Sequence, residues 1–210
     1  MIATLFDFNG VLVDDERVHL EAFREVLAPL GVVIDDHAYE ENYFGFDDAG
    51  VFRAALEDAG RTGDVAALVE SKKPVYLRRI AADLRIFPGA AELVSRRANV
   101  GVVGIVSGAL RHEIEHILGL MNVRDAVSFI VAAEDAVHCK PHPEGYLLGA
   151  RLAHCQNIVV IEDSVQGVDA AKAAGLRVAA VTHSYPRERL LHADAVVDSL
   201  LDLTDAVLDG

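Results

Sequence analysis

Short apolar runs alternate with helical patterns along most of this chain, and this alternation restricts the possible folds more than any other feature. The runs lie at residues 2–6, 102–106, 127–131, 158–161 and 178–181, with a weaker one at 195–197. Uninterrupted apolar runs of this length are typical of strands buried on both faces, and parallel strands need helical crossovers between them. The pattern therefore predicts an α/β fold with a doubly wound, Rossmann-like parallel sheet.

The long interval between the first two runs has helical periodicity and little strand character. We expect helices at residues 15–27, 36–43, 47–59 and 64–82, with Gly31, Gly45 and Gly60 at the breaks, where helix ends commonly use glycine. A Phe-Pro-Gly sequence at residues 87–89 marks the return to the strand pattern. The chain is thus predicted to form an α/β core domain from residues 1–14 and 86–210, with a helical cap domain at residues 15–85.

The charge balance excludes two classes of partner. The chain of 210 residues has 33 acidic and 19 basic side chains, which gives a formal net charge of −14. Such a protein repels nucleic acid and anionic membranes, so we expect neither as a partner. An anionic substrate must then be held by local positive groups or by a metal ion.

Cysteine usage and hydropathy indicate a cytoplasmic protein. Cys139 and Cys155 are too few for a disulfide framework and too far apart for a CxxC metal pair, so we expect both to be reduced thiols. No apolar stretch approaches the roughly 20 residues that cross a bilayer, and no basic segment leads into an apolar one at the N-terminus. No heptad repeat or exposed apolar stripe indicates an oligomeric state.

Polar residues follow the strand-like runs at the point where each run ends. In open parallel sheets, ligands bind beyond the carboxyl ends of the strands, so these residues are the candidate site. In chain order they are Asp7, then Ser107 and Gly108, then Lys140 after a short loop, then Glu162 and Asp163.

This set of residues has the chemistry of phosphoryl transfer. The three carboxylates are hard oxygen ligands, which suit Mg²⁺ better than zinc. Ser107 and Gly108 are predicted to open a helix that runs to Leu118, where free N–H groups favour a phosphate oxygen. Lys140 adds a positive charge in a loop stiffened by prolines. Taken singly, each residue is more simply a turn, cap or surface residue, as we expect for the N-cap Ser164; their coincidence at successive strand ends favours a site.

In their sequence context these residues resemble the motifs of the haloacid dehalogenase superfamily, in its beta-phosphoglucomutase-like branch of phosphatases with a helical cap. The family's first motif, Asp-x-Asp-Gly-Val-x-x-Asp, is similar to residues 7–14, Asp-Phe-Asn-Gly-Val-Leu-Val-Asp, with one mismatch. Ser107-Gly108 resembles the second motif and Lys140-Pro141-His142-Pro143 the third. Ile161-Glu162-Asp163-Ser164 resembles the fourth, so the resemblance covers nearly the whole chain.

The resemblance implies a role for each matching residue. Asp7 would attack phosphorus and form an aspartyl-phosphate, while Ser107 and Lys140 would hold the transferring phosphate of a small phosphorylated metabolite. Mg²⁺ would be bound by Asp7, the backbone carbonyl of Asn9 and Asp163, with Glu162 as a ligand or as an acceptor behind the ligands.

Asn9 is the mismatch, because the resemblance implies a general acid/base aspartate at this position. An amide keeps the backbone carbonyl but cannot transfer a proton. General acid–base groups contribute about 10²–10⁴-fold, so turnover of alkyl phosphates should be slow unless another group substitutes. An engineered substitution, a natural variant with another proton donor and a protein that binds without turnover are all compatible with the sequence.

The resemblance also indicates residues that contact substrate. His19 and Lys72 match cap residues of this branch, and His19 is a candidate for the missing proton carrier. The cap loop that begins at Gly45 has Asp48 where a mutase would place a phosphate-binding arginine, which favours a phosphatase. Gly108 and Arg111 are further candidates near the phosphate, although a solvated helix residue is an equal alternative for Arg111.

One motif points to a different chemistry. Residues 112–116 read His-Glu-Ile-Glu-His, the HExxH pattern of zinc proteases, but they lack an evident third ligand. The leading hypothesis is a Mg²⁺-dependent phosphohydrolase. A hexose-phosphate mutase and a catalytically weakened phosphate-metabolite binding protein are the alternatives.

Overall fold

The computed structural model describes residues 2–43 and 46–210, which form two compact units. The core unit comprises the residues up to Asp14 together with Arg85–Gly210, and the cap unit comprises Asp15–Leu84. Arg85 is the first residue of the core unit after the cap. Its carbonyl accepts a hydrogen bond of 2.9 Å from the N–H of Asp14, the last core residue before the cap. An antiparallel bridge between Val13 and Ile86 continues this pairing.

Six parallel strands form the sheet of the core unit, which confirms the predicted α/β fold. The strands are β1 (Ile2–Phe6), β2 (Gly101–Val106), β3 (Phe129–Val131), β4 (Asn157–Glu162), β5 (Arg177–Val181) and β6 (Ala195–Val197). Their spatial order is β3-β2-β1-β4-β5-β6, so β1 lies between β2 and β4 where the direction of the crossovers reverses. Ligands of doubly wound sheets bind at this switch point.

The strand predictions were accurate to within one residue at each end, except at the start of β3. A run at 127–131 was expected, but the strand begins only at Phe129. Residues Arg124–Ala126 form a 3₁₀ turn, and the Val127 N–H bonds back to the Arg124 carbonyl at 3.1 Å. This local bond removes Val127 from the sheet ladder.

The helices follow in chain order. They are α1 (Glu16–Leu27), α2 (Asp36–Ala38), α3 (Asp48–Asp58), α4 (Val65–Ala82), α5 (Ala90–Val100), α6 (Arg111–Leu120), α7 (Glu144–Ala153), α8 (Val165–Ala173) and α9 (Asp205–Asp209). Short 3₁₀ turns lie between several of them. Within residues 2–43 and 46–210, no helix combines the length and apolar character needed to cross a bilayer.

The cap unit has its own apolar core and its own helix caps. Side chains of Asp35, Asp47 and Asp64 accept backbone N–H bonds at the starts of α2, α3 and α4, which satisfies donors that a helix leaves free. The predicted helix over 36–43 changes to a π-helical turn at Tyr39–Tyr43. The buried cluster consists of Leu20, Phe23, Leu27, Val32, Ile34, Tyr39, Tyr43, Val51, Phe52, Ala55 and Leu56.

A buried arginine connects helix, sheet and C-terminus in the core unit. Arg97 on α5 is 1% exposed, and its Nε donates to Thr4 Oγ1 of β1 at 2.8 Å. Its two terminal nitrogens donate to Asp205 at 3.2 Å and Asp209 at 2.7 Å on α9. This guanidinium therefore satisfies a buried hydroxyl and holds the last helix.

We expect Arg97→Ala to lower the free energy of unfolding of the core unit by about 2–5 kcal/mol, because it leaves a cavity at a fully buried side chain and removes the donor of the buried Thr4 hydroxyl. Arg151→Ala, at an exposed position of α7, is the matched control and should change stability by less than about 0.5 kcal/mol. Urea unfolding of both variants measures the difference, and equal midpoints would contradict this role.

Candidate active site

The first strand delivers Asp7 to the edge of the sheet. The Asp7 N–H donates to the Ile161 carbonyl at 2.9 Å, so the β1–β4 ladder extends one residue past the strand. Asp7 is 8% exposed. Because its backbone belongs to the ladder, its carboxylate stands beside the end of β4, where Glu162 and Asp163 lie.

A glycine turns the chain away after Asp7. Gly10 has φ +77°, a left-handed conformation that favours glycine. A Cβ at this position would lie 2.0 Å from Asp163 Oδ2, so any side chain would collide with the carboxylate. The His183 ring, stacked 3.8 Å from the Phe87 ring, contacts the Gly10 carbonyl through Nδ1 at 2.8 Å.

Lys140 joins two of the carboxylates. Its Nζ donates to Asp7 Oδ1 and to Glu162 Oε1, each at 2.6 Å, and to the Val106 carbonyl at 3.3 Å. Burial acts to lower the pKa of Lys140, but the neighbouring carboxylates outweigh it and raise this pKa. The lysine is therefore a fixed cation at this edge.

Glu162 is fully buried and is held by several donors besides Lys140. Tyr146 donates its hydroxyl to Oε1 at 2.6 Å, while Oε2 accepts from the Asp163 N–H at 3.0 Å and from the N–H and hydroxyl of Ser164 at 3.2 and 3.0 Å. Burial raises the pKa of Glu162, yet Lys140 and these hydrogen bonds lower it overall. Both carboxylate oxygens of Glu162 are thus engaged, and one of them anchors the Lys140 ammonium.

Burial disfavours the charged forms of Asp7 and Asp163. Burial, opposed by Lys140, raises the pKa of Asp7 to about 7. Burial, with the charges of Glu162 and Asp7, raises the pKa of Asp163 well above its ordinary value. Carboxylate oxygen atoms of Asp7, Glu162 and Asp163 lie within 4.8 Å of one another. Three buried carboxylates around one lysine are a donor set that fits a hard divalent cation.

The second strand end differs from the prediction. Ser107 is 8% exposed, its N–H donates to the Val131 carbonyl at 3.0 Å and its Oγ accepts from the Ala109 N–H at 3.1 Å. Ser107 and Gly108 do not open a helix, because α6 begins only at Arg111. They form a turn instead, and a Cβ on Gly108 would meet nothing within 4 Å.

Carboxylates bind the first N–H groups of α6, so these groups do not contribute to the predicted phosphate site at Ser107 and Gly108. Glu134 accepts the Arg111 N–H at 3.2 and 3.1 Å, and Glu113 accepts the Leu110 N–H at 3.3 Å. The Arg111 guanidinium pairs with Asp135 and donates to the Ile130 carbonyl at 3.2 Å. Glu113, the glutamate of the HExxH sequence, thus serves as a helix cap.

The sequence analysis of strand ends did not identify two residues that contact the site. Tyr146 lies on α7, six residues after Lys140, and its ring centroid is 5.0 Å from the Lys140 Nζ. Ser184 donates its hydroxyl to Asp163 Oδ2. Ser184 follows the carboxyl end of β5, so the same argument applied to one more strand would have found it.

Within the cap unit, His19 and Lys72 form a buried network. Lys72 is 0% exposed; its Nζ contacts His19 Nδ1 at 2.7 Å and pairs with Asp48. Since an ammonium only donates, Nδ1 must accept, which leaves the proton on Nε2, 3.2 Å from Asp15 Oδ2. Both ring nitrogens are engaged, which weighs against His19 as a proton carrier. Gly45 lies outside the described residues.

Comparisons with known proteins identify the family of this chain. Residues 3–175 match the model of the haloacid dehalogenase-like hydrolases. The chain belongs to the haloacid dehalogenase-like hydrolase family. This membership confirms the predicted enzyme class.

Several relatives of this hydrolase are similar over nearly their whole length. Hexitol phosphatase B of Escherichia coli is 30% identical over 230 residues, which cover 100% of this chain and 97% of that protein. The crystal structure of CbbY from Rhodobacter sphaeroides in complex with phosphate has a TM-score of 0.88 at 28% identity and covers 99% of both chains. Beta-phosphoglucomutase from Clostridium difficile has a TM-score of 0.85 at 27% identity, covering 98% of this chain and 95% of that one.

We expect Gly167→Ala to disturb the carboxylate cluster of this hydrolase. A Cβ on Gly167 would lie 1.8 Å from Glu162 Oε1, so the variant should lose about 1–3 kcal/mol of stability through overpacking. Gly119→Ala in α6, where a Cβ meets nothing within 4 Å, is the control and should be neutral or slightly stabilising. Thermal unfolding checks this, and a neutral Gly167→Ala would contradict the tight packing.

Proposed function

We propose that this hydrolase is a Mg²⁺-dependent phosphatase of small phosphorylated sugars or sugar alcohols that forms an aspartyl-phosphate on Asp7. The observation that carries the proposal is the position of Asp7, buried between Lys140 and two further acids at the switch point of the sheet. Phosphoryl transfer depends mostly on positioning and on charge neutralisation, and this edge provides both.

Each residue has a defined task in the proposed reaction. An oxygen of Asp7 forms a bond to phosphorus while the ester oxygen–phosphorus bond breaks, and water later cleaves the aspartyl-phosphate to release phosphate. Lys140 and the hydroxyl of Ser107 hold the phosphoryl oxygens. Asp7, Asp163 and the backbone carbonyl of Asn9 would hold Mg²⁺, which supplies charge neutralisation when bound. Glu162 and Tyr146 position Lys140, and Ser184 positions Asp163.

Asn9 sets the rate of this reaction. The departing ester oxygen needs a proton, and the later water must lose one, but an amide performs neither transfer. We therefore propose slow turnover of alkyl phosphates and faster turnover of esters with good leaving groups. Binding of substrate does not depend on this proton, so it should be retained.

Relatives and the cap unit support the choice of substrate and reaction. The name hexitol phosphatase B describes hydrolysis of a phosphorylated sugar alcohol by that relative, and the CbbY structure contains phosphate. A mutase must hold a second phosphate, whereas Asp48 presents a carboxylate that Lys72 already neutralises. We propose a phosphatase for this reason.

Asn9→Asp should raise kcat on a hexitol phosphate by about 10²–10⁴-fold with little change in KM, because it restores a group that acts only in the transition state. Asn99→Asp, an exposed residue of α5, makes the same charge change elsewhere and should leave kcat unchanged. Phosphate release in the presence of Mg²⁺ is the measurement.

Three outcomes would count against the proposal. Equal rates for Asn9→Asp and the parent chain would remove the general-acid argument. Tight binding without phosphate release in both forms would favour the binding protein, and isomerisation without release would favour a mutase. Asp7→Asn in the Asn9→Asp background should abolish release, since it removes the nucleophile.

Mg²⁺ affinity should rise with pH. Protons compete with the ion for Asp7, whose pKa is raised to about 7 by burial. This competition alone should weaken apparent affinity by about 30-fold at pH 5.5 relative to pH 8, and Asp163 should add to the effect. Calorimetric titration with Mg²⁺ tests this, with Asp163→Asn as the variant expected to bind weakly; pH-independent affinity would contradict the assignment.

A further inference from the structure

A second group of metal-compatible side chains lies in the loop that carries Lys140. It consists of His138, His142 and Glu144, and one ligand atom from each lies within 4.8 Å of the other two. These residues are separate from the Asp7, Glu162 and Asp163 group, and the exposed Cys139 is not among them. Nitrogen and carboxylate donors in this ratio are typical of zinc and related transition ions.

We propose that His138, His142 and Glu144 form a binding site for a first-row transition dication of the zinc class. Glu144 Oε2 lies 2.7 Å from His138 Nδ1 and 3.9 Å from His142 Nδ1. Two ligands of a tetrahedral zinc ion are about 3.4 Å apart, given metal–ligand distances near 2.1 Å. The distance from Glu144 to His138 must therefore lengthen, and the distance from Glu144 to His142 must shorten by a similar amount. Rotation of the exposed side chains achieves both changes.

The backbone and side chains of this loop are already close to the arrangement that binding of an ion requires. Pro141 and Pro143 restrict the backbone between the ligands, which reduces the entropy lost when an ion is bound. The ring centroids of His138 and His142 are 4.4 Å apart, so the two imidazoles are already in contact. The Glu144 N–H donates to His142 Nδ1 at 3.3 Å, so this nitrogen acts as an acceptor and would exchange that bond for the ion.

The site is accessible and is distinct from a simple helix cap. The histidine side chains are 61% and 51% exposed, so an ion can enter from solvent. Glu144 also accepts hydrogen bonds from the N–H groups of Val137 and His138, each at 3.1 Å. These bonds explain the position of the Glu144 carboxylate, but they do not explain why the His142 imidazole lies close to it. Lys140 stands two residues from either histidine, so an ion bound here would lie in the same loop as the active-site lysine.

Calorimetric titration of the tag-free full chain with Zn²⁺ tests the proposal, with excess Mg²⁺ present to occupy the carboxylate site. His138→Asn and His142→Asn should each weaken Zn²⁺ binding by at least about 10–100-fold, since even groups outside the ligand set are worth that much. His154→Asn is the control: it removes an exposed histidine at φ 50°, a conformation that asparagine accepts, and should leave affinity unchanged.

Replacement of Zn²⁺ by Co²⁺ gives a second readout, because tetrahedral Co²⁺ absorbs intensely in the visible range. This absorption should appear in the parent chain and in Cys139→Ser, and it should vanish in the double histidine variant. Unchanged Zn²⁺ affinity in His138→Asn and His142→Asn would overturn the proposal. Loss of binding in Cys139→Ser would overturn this ligand set. Neither result depends on phosphatase activity, so failure of the proposed function is measured separately.

Discussion

The contact of one lysine with two buried carboxylates is the interaction on which the active edge depends. Asp7 and Glu162 come from adjacent strands and would repel each other if both were ionised without a partner. Lys140 stands between them at 2.6 Å from each, so its charge favours the ionised form of both carboxylates and holds them close. Without it, the pKa of Asp7, which burial already raises to about 7, would rise further, and a protonated carboxyl is a poor nucleophile.

Several packing features exist to support this contact. Gly167 leaves room for the Glu162 carboxylate, Gly10 leaves room for Asp163, and Tyr146 donates to the same Glu162 oxygen that Lys140 uses. The two glycines let the carboxylates approach closely, and the tyrosine restricts the orientation of Glu162. The carboxylate oxygens of this cluster can then bind a divalent cation.

The sequence predicted the strand-end residues well because their proximity follows from topology alone. Once β1 and β4 are adjacent and parallel, Asp7 must stand next to Glu162, whatever the side chains around them. Prediction failed where contacts between distant segments decide the outcome. The start of α6 depends on Glu134, which lies more than twenty positions away, and the bonds of Tyr146 and Ser184 depend on which way their side chains point.

The hydrogen bond between Asp14 and Arg85 gives the cap unit the topology of a closed loop. The 70 residues Asp15–Leu84 leave and re-enter the core next to Asp14 and Arg85, which a 2.9 Å hydrogen bond joins. The entropy of closing a loop grows only with the logarithm of its length, so a long insertion at this junction costs little more than a short one. The same sheet edge can therefore accept insertions of very different size, and changes in the inserted segment need not alter the registers of the strands that carry the nucleophile.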